Sequence, residues 1–400
     1  MKHLFVTQDY GPDLGGMARV HVEVCRRFSE GDTAMEVSTV AASGGAAFDA
    51  GEKYPINRQP FPFSKAKVFT NQLRWGRWLS ARAATDIDVI HCGNIRPVGY
   101  GVLLAHLRRR IPYIVYVYGG DLLKEQVGIA SSARKRFGAR QILGGASGIV
   151  AISKWSADLA ADVMRQLGMK RIPPIGNFDL GTDPTFFNPG RDTGRLRTKW
   201  AIGDAPLLLT VARLIPHKGQ DVVLRVLATL KAEFPTLRYA MIGTGPDEAR
   251  LRQLAEELDV SDRVIFAGPV SDDEVAEAYA TSTVYVGLSR VDRAIDAEGF
   301  GISFVEAGAS AVPVIGGDSG GVRSAVRDGE SGVIVPSQDV AAAAAGVRLY
   351  LGDAELRGKT GRAGRWLAET HYNWDRVARD YRRFADDVVG RKDQIRSREA

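Results

Sequence analysis

Four hundred residues, 45% of them hydrophobic and 25% charged, with a net charge of +6, describe a globular chain with room for two domains. No run of 18 apolar residues is present, which excludes a membrane-spanning helix, and two cysteines exclude a disulfide framework or a cysteine-built metal site. The apolar stretch after Met1 is too short for a signal peptide, so a cytoplasmic protein is expected.

Short apolar runs alternate with amphipathic stretches along the chain. Predicted strands in the first half are Leu4–Val6, Met35–Val40, Val89–His91, Tyr113–Val117 and Gly148–Ile152. In the second half they are Leu207–Val211, Tyr239–Ile242, Val264–Phe266, Val284–Val286, Val312–Ile315 and Gly332–Val335. Helical patterns lie between them, as at Gln220–Phe234 and Pro246–Leu258. Such alternation predicts an α/β fold with parallel sheets covered by helices on both faces. Ligands of such sheets bind beyond the carboxyl ends of the strands, and two such units facing each other would form a cleft. The polar stretch Asp183–Gly194, with two Pro, two Gly and no periodicity, separates predicted domains 1–185 and 186–373. A last amphipathic pattern covers Trp374–Val389, followed by a charged tail from Gly390.

Charge is unevenly shared. Residues 1–185 carry 24 Lys and Arg against 16 Asp and Glu; the remainder carries 29 against 31. A basic first half suits an anionic partner, and without a nucleic-acid-binding motif that partner is expected to be an acidic membrane or a lipid phosphate. The segment Lys65–Arg82 mixes cations with Phe69, Trp75 and Trp78 at helical spacing, which fits an interfacial helix or an ordinary domain helix with core aromatics. Arg108–Arg110 and Arg134–Arg136 add basic patches.

In chain order, the first candidate site is Gly11-Pro-Asp-Leu-Gly15-Gly16, between a strand and a helix, where glycines allow a tight turn and a close approach of backbone to ligand. Asp86-Ile-Asp88 has the spacing of a metal-binding pair but runs directly into a strand, and a capped turn explains it better. Tyr118-Gly119-Gly120-Asp121 follows the fourth predicted strand. Arg213 and Lys218, in Arg213-Leu-Ile-Pro-His-Lys218-Gly219, place two cations in a loop after a strand, where they can neutralise a diphosphate. Gly243-Thr-Gly245-Pro-Asp-Glu248 lacks the third glycine of a dinucleotide fingerprint. Glu298 and Glu306 stand eight residues apart around Gly299-Phe300-Gly301. Free amides at the start of the following helix suit a phosphate, and the carboxylates suit sugar hydroxyls.

Glu298-x7-Glu306 enclosing Gly-Phe-Gly, together with Arg213-x4-Lys218-Gly219, resembles the signature of family 4 retaining glycosyltransferases. The resemblance implies the GT-B architecture: two Rossmann-like domains facing each other across a cleft, acceptor-binding domain first and donor-binding domain second, with the helix at 374–390 packing back on the first. It implies that Arg213 and Lys218 bind the diphosphate, that Glu298 holds the sugar and that Glu306 holds the ribose. Gly15, Gly16, Gly243, Gly245, Val270, Phe300, Gly301 and Ile302 become expected contacts to the nucleotide sugar. The family commonly has histidine where this chain has Tyr118; the tyrosine is expected to donate a hydrogen bond to phosphate or hydroxyl instead.

The implied reaction is metal-independent transfer of a hexose from a nucleoside-diphosphate sugar to a hydroxyl, with retention of configuration and no cofactor. The closest resemblance is to bacterial mannosyltransferases of phosphatidylinositol mannosides and exopolysaccharide intermediates, so GDP-mannose and a lipid-linked or glycan acceptor are expected, with UDP-glucose next. A UDP-N-acetylhexosamine 2-epimerase and a non-catalytic sugar-nucleotide binder share the architecture and stay open.

Overall fold

The computed structural model describes residues 1–12, 15–29, 33–62, 68–291 and 296–399, with the side chains of 68–69 and 391–399 set aside. Lys65 and Lys67 of the basic aromatic segment therefore lie outside the described residues. The chain divides into two compact units, Met1–Phe178 with Trp374–Ala400, and Asp179–Asn373.

The first unit carries seven strands: β1 (Lys2–Val6), β2 (Ala34–Val40), β3 (Ile56–Gln59), β4 (Val89–Cys92), β5 (Tyr113–Val117), β6 (Gly148–Ala151) and β7 (Ile175–Asn177). They pair in the order β3-β2-β1-β4-β5-β6-β7, every pair parallel. The central strands are mostly apolar because helices cover both faces of the sheet, with His3 in β1 and His91 in β4 as buried exceptions. The reversal of strand order lies between β1 and β4, so the loops that follow these two strands open a crevice at the sheet's carboxyl edge. The edge strands β3 and β7 escaped the sequence reading. Ile56-Asn-Arg-Gln and Ile175-Gly-Asn are short and polar, and none of their residues is fully buried, so no apolar run marks them.

Asp86 and Asp88 sit just before β4 and serve as anchors. Asp86 accepts from Lys2 Nζ at 2.6 Å and from Arg82 at 2.8 Å, and Asp88 accepts from the Lys2 amide at 2.7 Å. The helix Val68–Arg82 buries Trp75 completely, with its ring edge-on to Phe61 and Trp78, so this part of the aromatic segment is core.

The helix Trp374–Glu399 belongs to this first unit. Val377, Tyr381, Ala385 and Val388 recur at helical spacing and are all buried. Tyr381 and Phe384 set their rings against Phe178 at 5.2 and 5.6 Å. A Cβ at Gly148 would lie 2.9 Å from the Phe384 ring, so the glycine in β6 is what lets the helix lie close.

The second unit carries β8 (Leu207–Val211), β9 (Arg238–Ile242), β10 (Val264–Gly268), β11 (Val284–Gly287), β12 (Val314–Gly317) and β13 (Gly332–Val335). Their order is β10-β9-β8-β11-β12-β13, again all parallel, with the reversal between β8 and β11. Its core gathers Val222, Val223, Leu227, Leu230, Met241 and Tyr350 around these strands.

The unit boundary falls at Phe178, seven residues before the position read from the sequence. Residues 179–187 are tied to the second unit: Asp179 meets His371 at 3.1 Å, and Thr182 bridges Asn373. Arg365 donates to the carbonyls of Pro184 and Phe187 at 2.7 and 2.9 Å, and Phe187 packs edge-on to Tyr279. Asp183 accepts from the Thr185 and Phe186 amides at 2.9 and 3.2 Å, an Asx turn.

Candidate active site

Parallel pairing of β8 with β11 brings together two motifs separated by eighty residues. Lys218, in the loop after β8, donates to Glu298 Oε2 at 2.6 Å, and Ser289, just after β11, lies 3.4 Å from the same oxygen. Burial alone would raise the Glu298 carboxyl; the adjacent Lys218 ammonium outweighs it and holds the group below its usual value, so it is ionised near neutral pH. Arg213 lies on the same loop and is exposed; its carbonyl accepts from Gln220 Nε2 at 3.0 Å, while its guanidinium makes no hydrogen bond or ion pair among the described residues. The Lys218–Glu298 pair is internally neutral, and Arg213 adds a second cation on the same loop. His217 is held below its usual value by burial and by the neighbouring Lys218.

The loop carrying Lys218 is locked in place by its own motif. Gly219 has φ +75°, and a Cβ there would lie 2.0 Å from the Leu288 carbonyl oxygen. Arg290 donates to the His217 carbonyl through its amide at 2.8 Å, and its guanidinium grips Asp221 at 2.9 and 3.3 Å. Gly219→Ala is therefore expected to destabilise the second unit by about 3 kcal/mol or more, from left-handed strain added to a backbone collision. Urea unfolding checks it; a loss below about 1 kcal/mol would mean the loop relaxes freely.

Gly243 and Gly245 pack against the backbone of the Arg213 loop. Cβ atoms there would lie 2.2 Å from the Ala212 carbonyl and 2.1 Å from that of Leu214, so these glycines let the Arg213 loop close onto β9. Gly301, at φ +96°, starts the helix Ile302–Ala309, whose first amides form an anion-attracting end. The Phe300 ring is buried against Tyr372, with ring centroids 6.1 Å apart, a placement that the glycine-rich motif does not reveal. Glu306 lies on the buried face of the short helix and accepts from Tyr279 at 2.8 Å. Val270, half-buried, immediately precedes the Ser271 cap of the helix Asp272–Thr281.

In the first unit, Gly15 precedes the helix Gly16–Phe28 in extended conformation, and a Cβ on Gly15 or Gly16 would meet no described atom within 4 Å. Folding thus does not demand glycine at either position. Tyr118 ends 2.5 Å from His21 Nε2. His21 Nδ1 lies 2.8 Å from the Asp9 carbonyl, which only accepts, so Nδ1 carries the ring hydrogen and Nε2 is bare. The phenolic hydrogen therefore goes to His21. Burial holds His21 down to about 4, and it is neutral at pH 7.

Sequence reasoning missed several participants. Gly320 and Gly321 hold the Glu298 backbone: the Gly321 amide donates to the Glu298 carbonyl at 2.7 Å, and a Cβ on Gly320 would lie 2.1 Å from that oxygen. The run Gly316-Gly-Asp-Ser-Gly-Gly321 was the available signal. His21, Asn94, Tyr279 and Ser289 carry no motif and were invisible as site residues.

Comparison with known proteins completes the assignment. The family description "Glycosyl transferases group 1" matches residues 192–366, and "Glycosyltransferase Family 4" matches residues 14–174. A GDP-mannose-dependent alpha-(1-6)-phosphatidylinositol monomannoside mannosyltransferase of Mycolicibacterium smegmatis is 30% identical over 295 residues, 72% of this chain and 74% of the relative. This chain belongs to glycosyltransferase family 4.

Similar to this glycosyltransferase too is a D-inositol 3-phosphate glycosyltransferase of Geodermatophilus obscurus, 30% identical over 396 residues, 91% of this chain and 83% of the relative. Among solved structures, Anabaena Alr3699/HepE in complex with UDP-glucose superposes with a TM-score of 0.77 at 18% identity, covering 97% of this chain and 100% of that one. Two parallel Rossmann-like sheets with such neighbours give the glycosyltransferase the GT-B fold. Among the described residues no helix is long and apolar enough to cross a membrane, and no group of three or more His, Cys, Asp or Glu is placed to hold a metal ion.

Proposed function

We propose that this glycosyltransferase moves a hexose, mannose in the first place, from a nucleoside-diphosphate sugar to a hydroxyl of a lipid-linked or glycan acceptor in cell-envelope or exopolysaccharide synthesis. The transfer retains configuration and uses no metal. The observation that carries the reading is the Lys218–Glu298 pair with exposed Arg213 on the same loop, at the carboxyl ends of β8 and β11. Arg213, Lys218 and the amides of Gly301 and Ile302 stabilise charge on the departing diphosphate. Glu298 orients the sugar through its hydroxyls, and Glu306 takes the ribose. No side chain stands out as a nucleophile, so the leaving diphosphate assists attack from the same face and positioning supplies much of the rate. Mannose is favoured by the GDP-mannose dependence of the mycobacterial relatives; UDP-glucose is the rival.

The reading also puts the enzyme at the cytoplasmic face of an anionic membrane. The excess of Lys and Arg in the first half supports this, as do Leu107 and Phe137, 68% and 66% exposed beside Arg108–Arg110 and Arg134–Arg136.

A thermal-shift titration with GDP, UDP, ADP and their sugar conjugates tests the donor. A nucleotide at about 100 times its dissociation constant stabilises by roughly 2.7 kcal/mol. Arg213→Ala is expected to weaken that nucleotide about 10- to 100-fold while leaving the unliganded melting temperature unchanged. Absence of a shift with every nucleotide would overturn the reading. Turnover of a nucleotide sugar without any acceptor, yielding its 2-epimer, would favour the epimerase instead.

A further inference from the structure

The helix Trp374–Glu399 pairs some of its charges and sets others against each other. Arg376 donates to Asp380 at 3.0 Å, the usual arrangement of opposite charges four residues apart. Arg379 and Arg383 have the same spacing but the same sign, so they repel across one helical turn. Both are exposed, and neither makes a hydrogen bond or ion pair among the described residues. Arg382 beside them is held in place. Its Nη2 donates to the Arg27 carbonyl at 3.2 Å, and its guanidinium carbon stands 5.4 Å over the centre of the Phe28 ring.

All three arginines line one open cavity of about 490 Å³, where the C-terminal helix passes the end of the helix Gly16–Phe28. Arg27, Asp375 and Asp386 complete its lining. Arg27 and Asp375 meet each other at 3.2 Å, so Asp386 alone of the lining acids faces the other three guanidiniums. Four guanidiniums against two carboxylates leave an excess of two positive charges. A phosphate group carries up to two negative charges near neutral pH, and its oxygens accept forked pairs of hydrogen bonds from guanidinium. The cavity is also remote from the glycine turn that opens the first helix. At 1.5 Å per residue, Arg27 lies roughly 17 Å along the axis from Gly16.

We propose that this cavity is a second anion site of the glycosyltransferase, one that takes a phosphate dianion borne by a small soluble molecule or by a lipid headgroup. The phosphate bridges Arg379 and Arg383, cancels their repulsion and ties the C-terminal helix to the end of Gly16–Phe28. The inference does not depend on the identity of the sugar donor.

The experiment is calorimetric titration of the full chain with inorganic phosphate at pH 8, with chloride adjusted to hold the ionic strength constant. Arg379→Gln combined with Arg383→Gln changes two exposed side chains, and is expected to weaken phosphate at least about tenfold. Asp386→Asn removes the opposing acid and is expected to tighten phosphate about threefold, a gain that a solvated helix face would not give. Arg213→Ala, on the donor loop, is expected to leave this binding unchanged. Thermal shifts with GDP and UDP, recorded on the same samples, report the donor loop and should not respond to the changes on the C-terminal helix. Phosphate binding that is absent, that survives the double substitution, that is weakened by Asp386→Asn, or that is lost in Arg213→Ala instead overturns the inference. Vesicles of phosphatidylcholine with phosphatidic acid separate the two sources of phosphate. Co-sedimentation lost in the double variant assigns the phosphate to a headgroup; co-sedimentation equal in both proteins, with soluble phosphate lost, assigns it to a small molecule.

Discussion

Lys218→Met is expected to abolish turnover and to destabilise the second unit together. The substitution keeps the volume of the side chain but strips Glu298 of the ammonium 2.6 Å away, leaving a carboxylate at a largely buried position. Removing one partner of a buried pair costs about 3–5 kcal/mol, because the other must either stay charged without compensation or take up a proton. Turnover should fall by a factor on the order of 10²–10³, the usual cost of losing one preorganised charge at a departing group. The double substitution Lys218→Met with Glu298→Gln separates the two effects. It should recover most of the stability, since no charge is stranded, and none of the activity. Urea unfolding and nucleotide-sugar turnover on the three proteins decide it. A single variant as stable as wild type would show that water reaches Glu298 freely and that the pair carries no structural load. In wild type the depressed Glu298 carboxyl contributes stability above its unfolded value near 4.5, and that contribution is lost as pH falls through its lower folded value.

Acid is expected to unfold the first unit before the second. His3, His91 and Tyr116 form a buried hydrogen-bonded row, with His3 Nδ1 2.8 Å from His91 Nε2 and His91 Nδ1 2.9 Å from the Tyr116 hydroxyl. Burial, and for His3 also the N-terminal charge, holds His3 down to about 4; burial does the same for His21, and His91 is pushed well below its usual value by burial and by His3. An unfolded histidine titrates near 6.5, so the unfolded chain binds more protons than the folded one between about pH 6.5 and 4. Stability from these groups is thus fully present above pH 6.5 and drains away as pH falls through that window. A shift of this size represents roughly 3 kcal/mol for His3 and again for His21, a large share of the 5–15 kcal/mol that holds a typical domain. Unfolding should become biphasic near pH 5, with the tryptophans of the first unit, Trp75 among them, reporting the earlier step. A midpoint that does not move between pH 7 and pH 5 would rule out the buried neutral row.

Among the described residues, eleven of thirteen strands are legible because a strand buried on both faces is mostly apolar, and apolar runs bounded by glycine, proline and polar residues announce themselves. The donor loops are legible for a related reason. Arg213, Lys218-Gly219 and Glu298 with Gly301 are chemically demanding positions: cations proposed to meet a diphosphate, glycines that adopt positive φ or pass within van der Waals distance of backbone. Such demands leave few alternatives, so they appear as motifs. Tyr118 shows the limit of that logic. Its residue type says that it can donate, yet the direction of its hydrogen is decided by a carbonyl at Asp9 that fixes the tautomer of His21, ninety-seven residues from the tyrosine.

Sequence alone therefore determined the fold class, the family and the loops that carry charge, because local propensity, burial and phosphate chemistry each restrict residue type at the position where they act. Tertiary structure alone decided what depends on neighbours distant in the chain. Parallel pairing of β8 with β11 made an ion pair of Lys218 and Glu298. The packing of Phe300 on Tyr372 buried its ring. The contacts of residues 179–187 with Asn373, His371 and Arg365 moved the unit boundary to Phe178. A side chain's type limits what it can do; which of those things it does is set by the partner that the fold places within 3 Å.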